Sequence, residues 1–166
     1  VRQKLAIMTG WKQGNIPDIK GIPATDLERI NSMDPAADKE KALANDYSLQ
    51  IERRRLEHSQ TQENTNLYTT NVRKLEESVK SAVDLGYQSV VLAKSSYDQA
   101  QLSLTVANNN LGSGQRKLSA GTGTQIDVVD LQYKQQSAQA NFQLREMELF
   151  QAMEDYNWIL NGLASS

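Results

Sequence analysis

Two interleaved repeats constrain this chain more than any other feature of it. Val83, Val90, Tyr97, Leu104, Leu111 and Leu118 recur every seven residues, and Gly86, Ala93, Ala100, Ala107 and Gly114 recur every seven, three places later. Steps of three and four that sum to seven keep both series on one helical face, the seam of a coiled coil. One series is large and the other small, so a partner helix can approach closely at the Gly and Ala positions while large side chains fill the holes beside them. The small series also lowers the apolar area buried per residue, and a hairpin built on it calls for lateral neighbours.

The seam has to stop at Ser119-Ala120-Gly121-Thr122-Gly123-Thr124, where Gly121 can take the left-handed conformation that ends a helix. Thr124-Gln125-Ile126-Asp127 then has the form of a capping box, with Asp127 placed to answer the free amides of a new first turn. The helix it opens, from Ile126 to about Asn161, carries two apolar lines. One is Ile126, Tyr133, Ala140 and Met147; the other is Val128, Phe142, Leu149, Tyr156 and Leu163, interrupted at Gln135. Two lines imply two neighbours, the hairpin partner and something further. Gly162 supplies the stop. An antiparallel hairpin over residues 72–162 is therefore expected, with its tip turn at 119–125.

All three prolines, Pro17, Pro23 and Pro35, lie upstream of this hairpin, together with Gly10, Gly14 and Gly21. They mark Gly10 to Pro35 as irregular within a connecting collar over residues 11–45, whose later part is expected to be a helix from about Pro35 into Ala42-Leu43, and which follows the end of an earlier helix in Val1 to Thr9. Within the collar, Thr25-Asp26-Leu27-Glu28 reads as a short capped helical turn, and Asp34-Pro35 as an N-cap followed by proline at the first helical position. From Asp46 to Leu118 the composition favours helix. The Asn- and Thr-rich stretch Ser59 to Asn71 loses the apolar period, which places a reversal or weak joint there; an uninterrupted helix is the alternative. The fold class expected is all-α: one domain over residues 1–166, with residues 46–166 forming the helical repeat.

Composition removes several functions. With 166 residues, 39% hydrophobic, 6% aromatic and a formal charge of -2, the chain has a thin apolar supply and no basic stripe for nucleic acid. It has no cysteine, one histidine, and no run of the ~18 to 20 apolar residues that a membrane-spanning helix needs. There is no Ser/His/Asp set, phosphate loop or His-rich pattern, so neither catalytic nor metal-binding residues are expected, and no cofactor. His58, next to Arg53-Arg54-Arg55, reads as a solvated side chain, and Trp11 and Trp158 as packing residues. The chain does not begin with Met, which reads as processing or truncation.

Several segments of the chain resemble the second repeat of the TolC-like outer-membrane efflux proteins. They are Leu118-Ser119-Ala120-Gly121-Thr122 at the turn, Ile126-Asp127-Val128-Val129-Asp130-Leu131 after it, Ala152-Met153-Glu154-Asp155-Tyr156 through Leu160-Asn161-Gly162-Leu163 at the close, and Leu43-Ala44-Asn45-Asp46-Tyr47-Ser48-Leu49 at the start. The resemblance covers roughly residues 40–163. It implies a homotrimer in the cell envelope whose antiparallel helices form a hollow α-helical barrel. That barrel would pass solutes outward passively from an inner-membrane pump and its periplasmic adaptor protein. It further implies that Ala120, Gly121 and Thr122 form the adaptor-docking turn and that Asp127 and Asp130 ring the pore mouth.

Three departures accompany the resemblance. The thirteen residues Ser59 to Asn71 cannot hold two membrane-crossing strands of ~9 to 11 residues each, so the chain looks like a barrel-less relative or an engineered soluble form. Only the end of a first repeat precedes the collar, so the chain reads as half a protomer. Gly123 stands where some members carry an arginine that helps lock the closed mouth. Each site reading also has a plainer alternative: Asp127 and Asp130 as dipole compensation in a first helical turn, and the glycines as backbone geometry alone. For the whole chain, the rival to a conduit is a coiled-coil spacer or scaffolding module of the cell envelope with no transport.

Overall fold

The computed structural model describes residues 27–163, and every regular element among them is an α-helix. There are five: α1 (Leu27–Asn31), α2 (Pro35–Asn45), α3 (Tyr47–Glu57), α4 (Gln62–Ser119) and α5 (Gln125–Leu160). The sequence signals at Asp34-Pro35 act as expected, with the Asp34 carboxylate accepting from the Ala36 amide at 3.0 Å ahead of a proline-led first turn. Asp46 both ends α2 and caps α3, accepting from the Leu49 amide at 2.7 Å. The helical turn expected from Thr25 is seen as α1 from Leu27 onward. The expectations for Val1 to Thr9, for the collar before Leu27 and for Trp11 fall outside the described residues.

The reversal within Ser59 to Asn71 is present but much shorter than expected. It occupies residues 58–61, and Gln62 already lies in α4, so the long helix starts ten residues before the expected position 72. Thr61 opens it, accepting from the Asn64 amide. The polar stretch stays helical because its threonines bond back onto the preceding turn, Thr65 to Thr61, Thr69 to Thr65 and Thr70 to Asn66. Tertiary contacts add to this: α3 folds back along it, with Arg53 on Glu76 at 2.8 Å and Asn71 on Glu52 at 3.2 Å.

α4 has 58 residues and α5 has 36, and the two run antiparallel across the glycine turn. Their register is fixed by close approaches of Gly86 to Ile159 and Tyr156 and of Gly114 to Leu131, with Val128 just beyond; Gly86 and Gly114, like Ile159 and Leu131, are 28 residues apart. Val83, Val90, Tyr97 and Ala100 of the predicted seam are buried, while Leu104, Leu111 and Leu118 are half-buried. Burial thus declines toward the tip. On α5 the line Val128, Leu149, Tyr156 is the one buried against α4, and Phe142 meets Tyr97 with ring centroids 5.2 Å apart. The other line faces away: Ile126 is 81% and Tyr133 75% exposed. Leu163, assigned to the buried line, is exposed because Gly162 turns the chain off the helix before it.

The core sits at the end of the hairpin remote from the turn, where α2 lies across both long helices. Ala42 of α2 joins Val83, Val90, Tyr97, Leu149, Met153 and Tyr156 in one cluster, with Leu27 and Ile30 of α1 packed against it. Fully burying side chains such as Val83, Val90 and Leu149 contributes ~1.5 to 3 kcal/mol each, which makes this the stable end. A second glycine turn closes α5, and its Gly162 abuts the backbone of Asn45 and Asp46. Beyond that point α3 replaces α5 as the neighbour of α4.

Candidate functional site

The turn between α4 and α5 is built from backbone hydrogen bonds. Gly121 has φ 75, its amide donates to Leu118 O at 3.0 Å, and the Thr122 amide donates to Lys117 O at 2.9 Å. This is the Schellman arrangement, which satisfies carbonyls left open at a helix end. The Thr122 hydroxyl donates to the same Lys117 carbonyl at 3.2 Å. Ala120, Gly121 and Thr122 are all exposed, and a Cβ on Gly121 would meet nothing within 4 Å. The turn is therefore both rigidly closed and open to solvent.

The carboxylates that follow are both exposed, and each has a local partner. The capping box at Thr124 is complete: the Asp127 amide donates to the Thr124 hydroxyl oxygen at 3.2 Å, and Asp127 Oδ2 accepts from the Thr124 amide at 3.1 Å and its hydroxyl at 2.6 Å. The Thr124 hydroxyl, then its backbone amide, hold the Asp127 carboxyl below the usual carboxylate range, and the charge of Lys117 adds to this. Asp130 lies one turn on and pairs with Lys134 at 2.6 Å. In a single chain these two groups have helix-end and ion-pair roles.

Two polar features at the base were not singled out from the sequence. Asp38, in the first turn of α2, is 5% exposed and accepts from the Tyr156 hydroxyl at 2.9 Å and from Lys41 Nζ at 2.8 Å. Asn45 Nδ2 donates to Leu160 O at 2.8 Å, so a side chain from the α2–α3 junction takes up a carbonyl left free at the end of α5. Trp158, expected as a packing residue, is mostly exposed; it lines a groove between α4 and α5 together with Ala82, Leu85, Gly86, Ala152 and Ile159. His58 is exposed, as expected, with Nδ1 2.8 Å from Arg54 O.

Among the described residues no three His, Asp or Glu side chains gather into a metal-binding group, and no helix is long and apolar enough to cross a membrane. No protein-family model matches the chain, and neither a curated protein nor a solved structure matches it.

Proposed function

We propose that the chain is a wall segment of a TolC-like α-helical tube in the cell envelope, a passive conduit whose glycine turn faces an adaptor and pump. The observation that carries this reading is the placement of the unburied apolar residues. On α5 the exposed line through Ile126, Tyr133 and Met147 is offset from the buried line by two residues, about 200° of helix rotation. On α4 the exposed Leu85, Leu92 and Val106 stand two residues after the buried or half-buried Val83, Val90 and Leu104, a rotation of equal size in the opposite sense. Each long helix thus has one apolar face toward its partner and further exposed apolar residues away from it, with Leu85 of α4 and Trp158 of α5 bordering the same groove between the two helices.

Helices that pack on opposite faces form a single layer, and a layer that curves onto itself encloses a lumen. A compact bundle would place the second face beside the first. In such a tube the exposed turn lies at one rim, and Asp127 and Asp130 from several copies concentrate negative charge there, drawing cations toward the opening. The resemblance at residues 118–131 agrees with that placement.

The short joint at residues 58–61 favours a second reading, a spacer or scaffold without transport, because no strand-forming segment separates α3 from α4. Light scattering on the purified chain, followed by negative-stain electron microscopy, tests the tube. A discrete oligomer with a stain-filled centre is expected, and a chain that stays monomeric at high concentration refutes the conduit.

A further inference from the structure

We propose that Asn161 and Gly162 form a site of spontaneous deamidation, held in check by the clasp of Asn45 on the end of α5. Of the chain's asparagines, only Asn161 is followed by glycine. A glycine nitrogen has no Cβ beside it to obstruct approach, so it attacks the preceding side-chain amide more readily than any other backbone nitrogen. Attack joins Gly162 N to Cγ of Asn161 and breaks the Cγ–Nδ2 bond, and ammonia leaves with the proton of the Gly162 amide. Water then opens the five-membered imide at one of its two carbonyls. The product is aspartate or, mainly, isoaspartate, with no change of oxidation state.

The turn that closes α5 repeats the backbone of the α4–α5 turn. Gly162 has φ 71, its amide donates to Ile159 O at 3.1 Å, and the Leu163 amide donates to Trp158 O at 2.9 Å, the same Schellman pattern as at Gly121. Ala120 fills the place before Gly121, so this turn does not itself require an asparagine at 161. It does require the glycine, because a Cβ at 162 would run into the Asn45 carbonyl. The other described asparagines all belong to helices, whereas Asn161 lies just past the end of α5 and is exposed.

The closed turn blocks the reaction. Gly162 N is engaged with Ile159 O, and the Asn161 ψ of 9 points that nitrogen away from the side chain. The side chain is occupied as well, with Nδ2 donating to Asn157 O at 2.7 Å. Ring closure therefore needs residues 161–163 to unwind, and a helix end opens in this way far more often than the whole fold does. Asn45 restrains that opening from outside, donating to Leu160 O at 2.8 Å. Once it has reacted, the turn cannot close again. Isoaspartate lengthens the main chain by one carbon where Gly162 already abuts Asn45 and Asp46, and either product puts a negative charge at the negative end of the α5 dipole. Conversion thus permanently loosens α5 from the α2–α3 junction.

To test this, the folded chain, the urea-unfolded chain, Asn45→Ala and Asn161→Ala are incubated at mildly alkaline pH, and the mass gain of an amide turned acid is located by tandem mass spectrometry after proteolysis. Expected is conversion of Asn161 ahead of every other asparagine, several-fold faster in Asn45→Ala and at least about tenfold faster in urea. Asn108 and Asn141, inside the long helices, are expected to keep their parent rates in Asn45→Ala. Another asparagine converting first overturns the site, as does an equal gain at this segment in Asn161→Ala. Equal rates in the folded and unfolded chains overturn the gate. A rate at Asn161 unchanged by Asn45→Ala, or raised alike at Asn108 and Asn141, overturns the role of Asn45. Circular dichroism checks the fold of Asn45→Ala. Where that fold is lost, hydrogen exchange in the parent decides: faster exchange at Gly162 and Leu163 than at the buried Val90 is expected, and equal exchange overturns the gate.

Discussion

The hydroxyl of Tyr156 donates to Oδ2 of Asp38 across 2.9 Å, joining residues 118 apart in sequence and fastening α2 to the end of α5. Tyr156 is fully buried, so this bond has no solvent substitute. Tyr156→Phe keeps the ring packing against Tyr87 but leaves one oxygen of Asp38 without its donor, at a cost of ~1 to 3 kcal/mol. Asp38→Asn still offers an oxygen to the phenol and is expected to cost less. Thermal denaturation of both variants checks the order; equal melting temperatures for Tyr156→Phe and the parent would show that the bond fastens nothing.

The same pair predicts sensitivity to alkali. Burial, then the hydrogen bond to Asp38 and its negative charge, raise the Tyr156 phenol well above its ordinary value near 10. The folded chain therefore holds this proton more tightly than the unfolded chain. Its contribution is complete below about pH 10 and is lost as pH rises from there through the folded-state value. Urea midpoints measured between pH 8 and pH 11.5 are expected to fall in the upper part of that range. Tyr156→Phe is expected to flatten the fall.

The two glycines that bring α4 and α5 together are not equivalent. A methyl on Gly86 would stand 2.9 Å from Ile159 Cδ1 and 3.0 Å from Tyr156 Cδ2, and the Tyr156 ring is held in place by Asp38. A methyl on Gly114 would run into Leu131 Cδ1, the free end of a flexible side chain that can rotate away. Replacing a mid-helix glycine with alanine gains ~1 kcal/mol of helix propensity at either site. Gly114→Ala is thus expected to be neutral or stabilising and Gly86→Ala destabilising. Ala100→Leu, in the buried part of the seam, is expected to cost ~1 to 3 kcal/mol through overpacking. Denaturant midpoints for the three variants give the comparison.

Much of this architecture is legible in the sequence because it rests on periodicity and on local caps. The sevenfold series fixes which face of α4 meets α5, and Thr124 with Asp127 marks a helix start that the hydrogen bonds reproduce. What escaped depends on distant partners. The polar residues 62–71 look like a loop by composition, and they are helical because α3 lies along them and the threonines turn their hydroxyls onto their own backbone. Asp38 reads as an acidic residue compensating a helix dipole, and nothing nearby in sequence points to Tyr156. Residue type alone points Trp158 to packing, but its position two residues after Tyr156 takes it out of the buried line and leaves it mostly exposed at the edge of the groove it shares with Leu85.

The candidate carboxylates at the tip separate a structural role from a functional one. Asp127→Asn removes a charge that the Thr124 hydroxyl and amide stabilise, so the start of α5 frays and local hydrogen exchange there speeds up. The parent should show the same weakening at low pH. Its Asp127 carboxyl titrates below the usual range, so the cap is intact above about pH 4 and is lost as pH falls through the lower folded-state value. Asp130→Asn breaks only an exposed pair with Lys134, worth ~0 to 1 kcal/mol, and is expected to leave the melting curve nearly unchanged. If the two residues also ring an opening, each variant lowers cation preference in ion-flux measurements on the assembled tube, and the effects of the two add. Unchanged selectivity in the double variant, alongside the fraying in Asp127→Asn, would assign both carboxylates to the helix end alone.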